Sequence, residues 1–300
     1  MAPSSAAVPA RALRAAVATA RALGLRVDDP VVLRDGSNLV VHLRPAPIVA
    51  RVATATAAVR GGDAWLAREV VVAGQLADAG APVVAPTREV DPGPHVHDGF
   101  ALSLWEHVRE VPGPPDAAAA GRALRGCHAA LAHVDVPLPR WAALDEAERV
   151  VGRLAATGAI GPSADAAALR ALVAHVRGRV DACGLPEQAV HGDAHLGNVL
   201  WSARGPLWND WEDVFHGPRA WDLGCLHASA RPFGRRDPAL VAAAAAGYGD
   251  DVPAEALAAV VDARRVQAAL WGVLLGAASG DAARAAARLT WLRERAAALP

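Results

Sequence analysis

Lysine is absent from this 300-residue chain, so all 30 basic residues are arginine. Tyrosine and methionine occur once each and cysteine three times. Cys127, Cys183 and Cys225 lie far apart without a CxxC pair, which argues against a zinc site or a disulfide framework and fits a reducing cytoplasm. Blocks of one charge sign are missing too: the net charge is −1, and nothing in the sequence advertises nucleic acid or a membrane surface as partner. No window approaches the roughly 18 uncharged apolar residues that a membrane span needs. The stretch up to about Leu25 is alanine-rich but broken by Arg11, Arg14 and Arg21, the pattern of an amphipathic helix rather than a signal peptide. These absences point to a soluble cytoplasmic protein with no obligate protein partner. The missing lysine, set against abundant Ala, Gly, Pro and Val, matches a GC-rich codon bias, and any role usually filled by lysine falls to arginine.

What is present is apolar. Hydrophobic residues make up 53% of the chain, enough for a sizeable core. Val31–Leu33, Leu39–Val41 and Ile48–Val52 are strand-like runs separated by the turns Asp35-Gly36-Ser37-Asn38 and Pro45-Ala46-Pro47. A helix is expected over 64–79, with Asp63 as N-cap and Gly80 just past its end. Val83-Val84 and Phe100–Leu104 supply two further strands, so the first hundred residues read as an antiparallel sheet with one main helix. Val-Pro-Gly-Pro-Pro at 111–115 marks a break. Helices dominate beyond it: one capped by Asp116 with Ala120, Leu124, Cys127 and Leu131 on a face, then 143–155, 164–182, 238–248, 254–277 and 281–298. A short strand pair near 189–209 interrupts them. The expected division is 1–106 for a sheet domain and 107–300 for a helical one.

The chemistry concentrates in His191-Gly192-Asp193-Ala194-His195-Leu196-Gly197-Asn198 and in Asp210-Trp211-Glu212. Val199–Trp201 and Leu207–Asn209 flank a turn containing Arg204-Gly205-Pro206, so the strands form a hairpin whose open ends carry Asn198 and Asp210. An amide oxygen and a carboxylate brought together this way suit hard Mg²⁺, completed by phosphate oxygens and water. Asp193 supplies a further carboxylate on the preceding loop. Metal ligands plus a carboxylate able to take a hydroxyl proton are the parts that phosphoryl transfer needs.

This run resembles the aminoglycoside phosphotransferase/choline kinase-like family, whose catalytic loop reads H-G-D-x-H-x-x-N and whose metal motif is D-x-E/D. The resemblance extends from about Val31 to Leu226 and is most specific over 191–224. It implies an α+β, two-lobed, protein-kinase-like fold with a small antiparallel-sheet N-lobe and a larger, mostly helical C-lobe. It implies Asp193 as catalytic base, Asn198 and Asp210 as Mg²⁺ ligands with Glu212 assisting, His191 anchoring the loop and His195 near the site. Asp222, in Ala220-Trp221-Asp222-Leu223, matches an aspartate that braces the loop.

The same resemblance makes Gly36, Ser37 and Asn38 a phosphate-covering loop, although alone they are a hairpin turn. Arg51 occupies the strand position of the family's lysine, with Glu69 as its expected partner. Trp65, Glu69, Val72 and Leu76 step by four, three and four, so Glu69 falls on an apolar stripe and wants a cation. Arg51 either pairs with it or snorkels to solvent. Trp105, Glu106 and His107 match the hinge that holds adenine through backbone groups, or else pack the junction. His128 reads as a satisfied core histidine. The function implied is ATP- and Mg²⁺-dependent transfer of the γ-phosphoryl group to a hydroxyl of a small metabolite or antibiotic. Two alternatives stand beside it: a non-catalytic pseudokinase, and a metal-dependent phosphohydrolase. After residue 230 the chain holds nine Arg against seven Asp plus Glu, which leans away from a polycationic acceptor.

Overall fold

The computed structural model describes residues 7–54, 60, 63–161, 163–231, 233–249, 252–279 and 281–300. They form two units: Met1–Pro115 with Val134–Val136 and Leu200–Glu212, and Asp116–His133 with Pro137–Val199 and Asp213–Pro300. The first break follows the Pro-Gly-Pro-Pro run. The return of Leu200–Glu212 to the first unit is a tertiary fact with no linker signal.

The first unit is built on five antiparallel strands, β1 (Val27–Asp35), β2 (Asn38–Pro45), β3 (Ile48–Ala53), β4 (His95–His97) and β5 (Phe100–Glu106), ordered β1-β2-β3-β5-β4. Alternation along β3 sends Ile48, Ala50 and Val52 to one face and Arg51 and Ala53 to the other. Helix α1 (Ala7–Ala22) lays Ala12, Ala16 and Ala20 against the first face, where Leu39, Val41, Leu43, Leu102 and Leu104 complete the core. Side chains this small let the helix approach the sheet closely. Helix α2 (Ala64–Asp78) meets the other face, with Trp65 and Leu66 packed on Ala53. Asp63 occupies the expected N-cap position of α2, with its carbonyl accepting from the Ala67 N–H at 3.0 Å, but its side chain makes no capping bond. Val83-Val84 forms no sheet strand. Val83 instead bridges Trp208, with the Val84 N–H on the Trp208 carbonyl at 2.9 Å, and His95–His97 takes the edge place in the sheet, beside β5.

In the second unit, α3 (Ala117–Leu131) starts where Asp116 accepts from the Ala119 N–H at 2.9 Å. Helices α4 (Ala142–Ala156), α5 (Ala164–Ala182), α7 (Pro238–Tyr248), α8 (Ala254–Ser279) and α9 (Ala282–Ala297) match the periodic segments. Helix α6 (Ala220–Ala228) is an addition, unreadable by periodicity because nearly all its residues are buried. The 26-residue α8 contacts α4, α5, α6 and α9 and forms the centre of the helical core. A two-stranded sheet, β6 (Glu187–Val190) with β9 (Phe215–Pro218), carries the segment that leads into His191. Strands β7 (Val199–Ser202) and β8 (Gly205–Trp208) form the expected hairpin. Among the described residues, no helix is long and apolar enough to cross a membrane.

Candidate active site

In the second unit, β6 delivers the loop His191–Asn198, and the loop is held from beneath by one carboxylate. Asp222, on α6 and fully buried, accepts from the His191 N–H at 2.7 Å, the Gly192 N–H at 2.9 Å and His128 Nε2 at 2.8 Å. His128 in turn meets the Tyr248 hydroxyl through Nδ1 at 2.7 Å. Burial alone would push the Asp222 carboxyl up, but the hydrogen bond and charge of His128, with His191 beside it, hold it below its ordinary value. This chain of bonds fixes the loop backbone from two helices and a third residue on α7. Gly192 is required in the same corner. Its φ is +86°, its carbonyl accepts from Trp221 Nε1 at 3.0 Å, and a Cβ there would overlap the Asp213 carbonyl oxygen.

The loop presents Asp193 with its carboxylate partly exposed, at 22% of its side chain. Asn198 Nδ2 donates to the Asp193 carbonyl at 3.0 Å, which commits the amide nitrogen within the loop. His195 Nδ1 accepts from the Gly197 N–H at 3.0 Å, and its Nε2 lies 3.6 Å from Asp193 Oδ2. His191 is fully buried, and its Nδ1 accepts from the Asp193 N–H at 3.3 Å. One partner had no sequence signal: Arg264, on α8 and 71 residues away, ion-pairs with Asp193 Oδ1. Only folding brings an arginine from mid-helix to this carboxylate.

The first unit holds a second cluster. Arg51, at the centre of the sheet opposite Val40 and Ser103, spreads its guanidinium between three carboxylates. Nη1 donates to Glu69 Oε1, while Nη2 donates to Asp210 Oδ1 at 2.5 Å and to Glu212 Oε2. Arg51 therefore does not snorkel to solvent. A planar fork can bridge partners on two sides, which a lysine ammonium does less well. Burial would lower the Arg51 pKa, but the carboxylates of Asp210, Glu212 and Glu69 outweigh it and raise it. Burial pushes the fully buried Glu69 carboxyl up to about 7, against the pull of Arg51.

Glu212 is enclosed: Oε2 also takes Asn38 Nδ2 at 3.1 Å, Oε1 faces Arg60 Nη1 at 3.5 Å, and only 9% of the side chain is exposed. Asp210 keeps 26% of its side chain exposed and sits at φ +71°, a left-handed conformation that aspartate tolerates at some cost. In the turn between β1 and β2, the Gly36 N–H returns to the Asn38 carbonyl at 3.2 Å and the Ser37 carbonyl accepts from Thr54 Oγ1 at 3.0 Å. At the end of β5, the Glu106 N–H donates to the Ala85 carbonyl at 3.0 Å and the His107 N–H to the Pro47 carbonyl at 2.8 Å. Trp105 Nε1 bonds Ser103 Oγ at 2.8 Å, and His107 stacks on His42 with ring centres 3.7 Å apart. Those two backbone donors are thus already taken by the protein.

Among the described residues no three His, Cys, Asp or Glu side chains gather to hold a metal by themselves. Taken separately, Asp210 in the first unit is a part-exposed carboxylate, and Asn198 in the second is an amide whose nitrogen is committed to the Asp193 carbonyl; each offers the oxygen donor type that a hard divalent cation takes. Mg²⁺ is commonly held by only one or two protein groups, with phosphate oxygens and water supplying the rest.

The antiparallel sheet with its helix-borne glutamate, followed by a helical unit carrying the His-Gly-Asp loop, is the protein-kinase-like fold. The sequence profile of the phosphotransferase enzyme family matches residues 19–260, and the chain belongs to that family, a class of small-molecule phosphotransferases. Solved structures with the same fold include a choline/ethanolamine kinase family protein from Mesorhizobium loti, 20% identical, with 96% of this chain and 94% of that one covered at a TM-score of 0.64. The amicoumacin kinase hAmiN, in complex with AMP-PNP, Ca²⁺ and Ami, is 15% identical over 97% of this chain and 96% of its own, with a TM-score of 0.70. The choline kinase LicA from Streptococcus pneumoniae is 14% identical over 94% and 98%, with a TM-score of 0.65. No curated protein matches the chain by sequence.

Proposed function

We propose that the protein transfers the γ-phosphoryl group of ATP, with Mg²⁺, to a hydroxyl group of a small molecule. The observation that carries this reading is the braced loop. Asp193 is presented part-exposed, with the Asn198 amide on its backbone and Asp222 locking the two residues before it. In this role Asp193 accepts the proton of the attacking hydroxyl, and the hydroxyl oxygen forms its bond to the γ-phosphorus as the bond to the β-bridging oxygen breaks. The base must be positioned for the proton it takes, and Arg264 orients its carboxylate through the ion pair at Oδ1. Asn198 and Asp210 are the residues to hold Mg²⁺, and the ion when bound neutralises the phosphate oxygens. Glu212 serves as support for Arg51 and Asn38 in this reading, since both its oxygens are engaged.

Arg51, tied to Glu69, takes the lysine's place against the α- and β-phosphates. The turn Gly36-Ser37-Asn38 covers the phosphates, and Trp105, Glu106 and His107 border the adenine, with carbonyls rather than the two committed N–H groups offered to it. His191 and Asp222 support the loop, and His195 steadies it through Gly197. Among the structural relatives, hAmiN holds AMP-PNP and Ca²⁺, which supports a nucleotide with a divalent ion here. One observation favours a second reading, nucleotide binding without turnover: Arg51 donates to Asp210, the same carboxylate assigned to the metal.

One assay separates the two. Mg²⁺-dependent ADP formation is measured with a panel of hydroxylated acceptors, using Asp193→Asn as control. Acceptor-stimulated ADP formation lost in Asp193→Asn, with ATP still raising the variant's thermal midpoint, is the expected result. ATP stabilisation with no stimulation by any acceptor favours the non-catalytic reading. Phosphate release that needs no acceptor points to a phosphohydrolase.

A further inference from the structure

Arginine crowds the loop that carries Asp193. Arg264 ion-pairs with Asp193 and donates to Gln267 Oε1 at 2.5 Å. Arg236 lies on the loop itself: a Cβ added at Gly197 would overlap its guanidinium. The Arg236 backbone is tied down by its N–H to the Ser229 carbonyl at 2.9 Å and its carbonyl to the Arg231 N–H at 3.0 Å. Arg288, on α9, lies within electrostatic reach of Arg264. Its guanidinium sits 4.5 Å above the Phe233 ring, and Nη2 donates to the Phe233 carbonyl at 3.3 Å.

The Arg288 Nη1 atom is buried and makes no hydrogen bond among the described residues. Burial, then the like charges of Arg284, Arg264 and Arg235, pull this guanidinium down to about 10. The carboxylates acting on the cluster are those of Asp193, Asp213 and Asp222, all three felt by Arg264. None of Arg235, Arg236, Arg284 or Arg288 is in an ion pair among the described residues. A buried cationic donor without an acceptor is costly, and the ring beneath it offsets only part of that cost. A bound anion would supply the missing acceptor, whereas a polycation would meet like charge beside the base.

We propose that the acceptor carries an anionic group, a carboxylate or a phosphate, which Arg236 and Arg288 hold while its hydroxyl is presented to Asp193. Arg264 is spent on Asp193, so recognition falls to the other two. The inference rests on the phosphotransferase reading of the Asp193 loop and narrows its substrate class.

The test is ADP formation by the full chain with ATP and Mg²⁺ across matched short-chain acceptors. These are hydroxy acids and phosphomonoesters of diols as the anionic arms, the amides of the same acids as the neutral arm, and amino alcohols as the cationic arm. The expected result is kcat/KM at least about tenfold higher for one anionic arm than for the neutral one, and which arm responds identifies carboxylate or phosphate. Arg288→Gln and Arg236→Gln are expected to raise KM for that acceptor about tenfold, and Arg288→Lys to retain most of the preference. Neutral or cationic acceptors used as well as the acids would overturn the inference and leave the phosphotransferase reading intact.

If no arm is turned over, inorganic phosphate and short hydroxy acids are titrated against the thermal midpoint of the ATP-bound protein. Stabilisation of wild type that is lost in Arg288→Gln supports the anion site, and equal or absent shifts in both overturn it. A protein that ATP neither stabilises nor donates phosphate to would refute the phosphotransferase reading itself.

Discussion

Asp222→Asn is close to isosteric, yet it should unsettle the loop His191–Asn198 that the proposed function makes catalytic. Oδ2 of Asp222 accepts from the His191 N–H and from His128 Nε2, while Oδ1 accepts from the Gly192 N–H. An asparagine must place its NH₂ at one of these two positions. At either one it faces a backbone N–H that has no other tautomer or rotamer to offer, so at least one buried donor loses its acceptor. That orphaned donor costs about 1–3 kcal/mol, and weakening the remaining charge-assisted bonds brings the expected loss of stability to about 2–4 kcal/mol. Loop geometry suffers as well, because His191 and Gly192 directly precede Asp193, and a displacement near 1 Å costs on the order of 10²-fold in rate.

Urea unfolding and acceptor-dependent kcat measure the two effects. The acid limb of stability should change with them. Asp222 is held below its ordinary value in the folded state. Its contribution is therefore complete above the unfolded carboxyl's pKa, roughly 4, and is lost as pH falls through the folded value. Asp222→Asn should lack that acid-side slope. A variant within about 0.5 kcal/mol of wild type with unchanged kcat would refute the bracing argument.

Three further outcomes follow from the same geometry. Arg51→Met strands three carboxylates, one of them fully buried Glu69, and should destabilise by about 3–5 kcal/mol in urea titration, an effect that Glu69→Gln in the same chain partly relieves. Glu69 is raised to about 7, so the folded state keeps a proton that the unfolded chain has already lost. Stability should thus decline as pH rises from the ordinary carboxyl range, near 4.3, towards 7, and Glu69→Gln should flatten that part of the profile. Gly192→Ala forces a side chain onto the Asp213 carbonyl at φ +86° and should cost more than about 2 kcal/mol, read as a lowered urea midpoint with diminished kcat.

Local chemistry made much of this legible before folding was considered. The turn residues between β1, β2 and β3, the Asp116 cap of α3 and the periodicity of α4, α5, α7, α8 and α9 all act within a few residues, so the sequence predicts them nearly to their ends. The loop 191–198 was legible because its residue types and spacings match the motif of the family to which the chain belongs. Glu69 showed itself as a carboxylate on an apolar stripe, and Arg51 meets it as that stripe required. Periodicity could not find α6, since a helix buried on every side has no polar face to mark it. It also misplaced a strand: Val83-Val84 has strand composition, but its backbone partner is Trp208, and which edge a short run joins is decided far along the chain.

The sequence by itself thus determined the helices other than α6, the turns joining β1, β2 and β3, the β7–β8 hairpin and the motif, because these depend on neighbours along the chain. The tertiary structure alone decided that Arg51 bridges three carboxylates, that Asp222 is triply bonded and that Arg264 lies on Asp193. The physical reason is that a charge's energy depends on what surrounds it in space. Residues 71, 159 or 161 positions apart become each other's surroundings only when the fold closes.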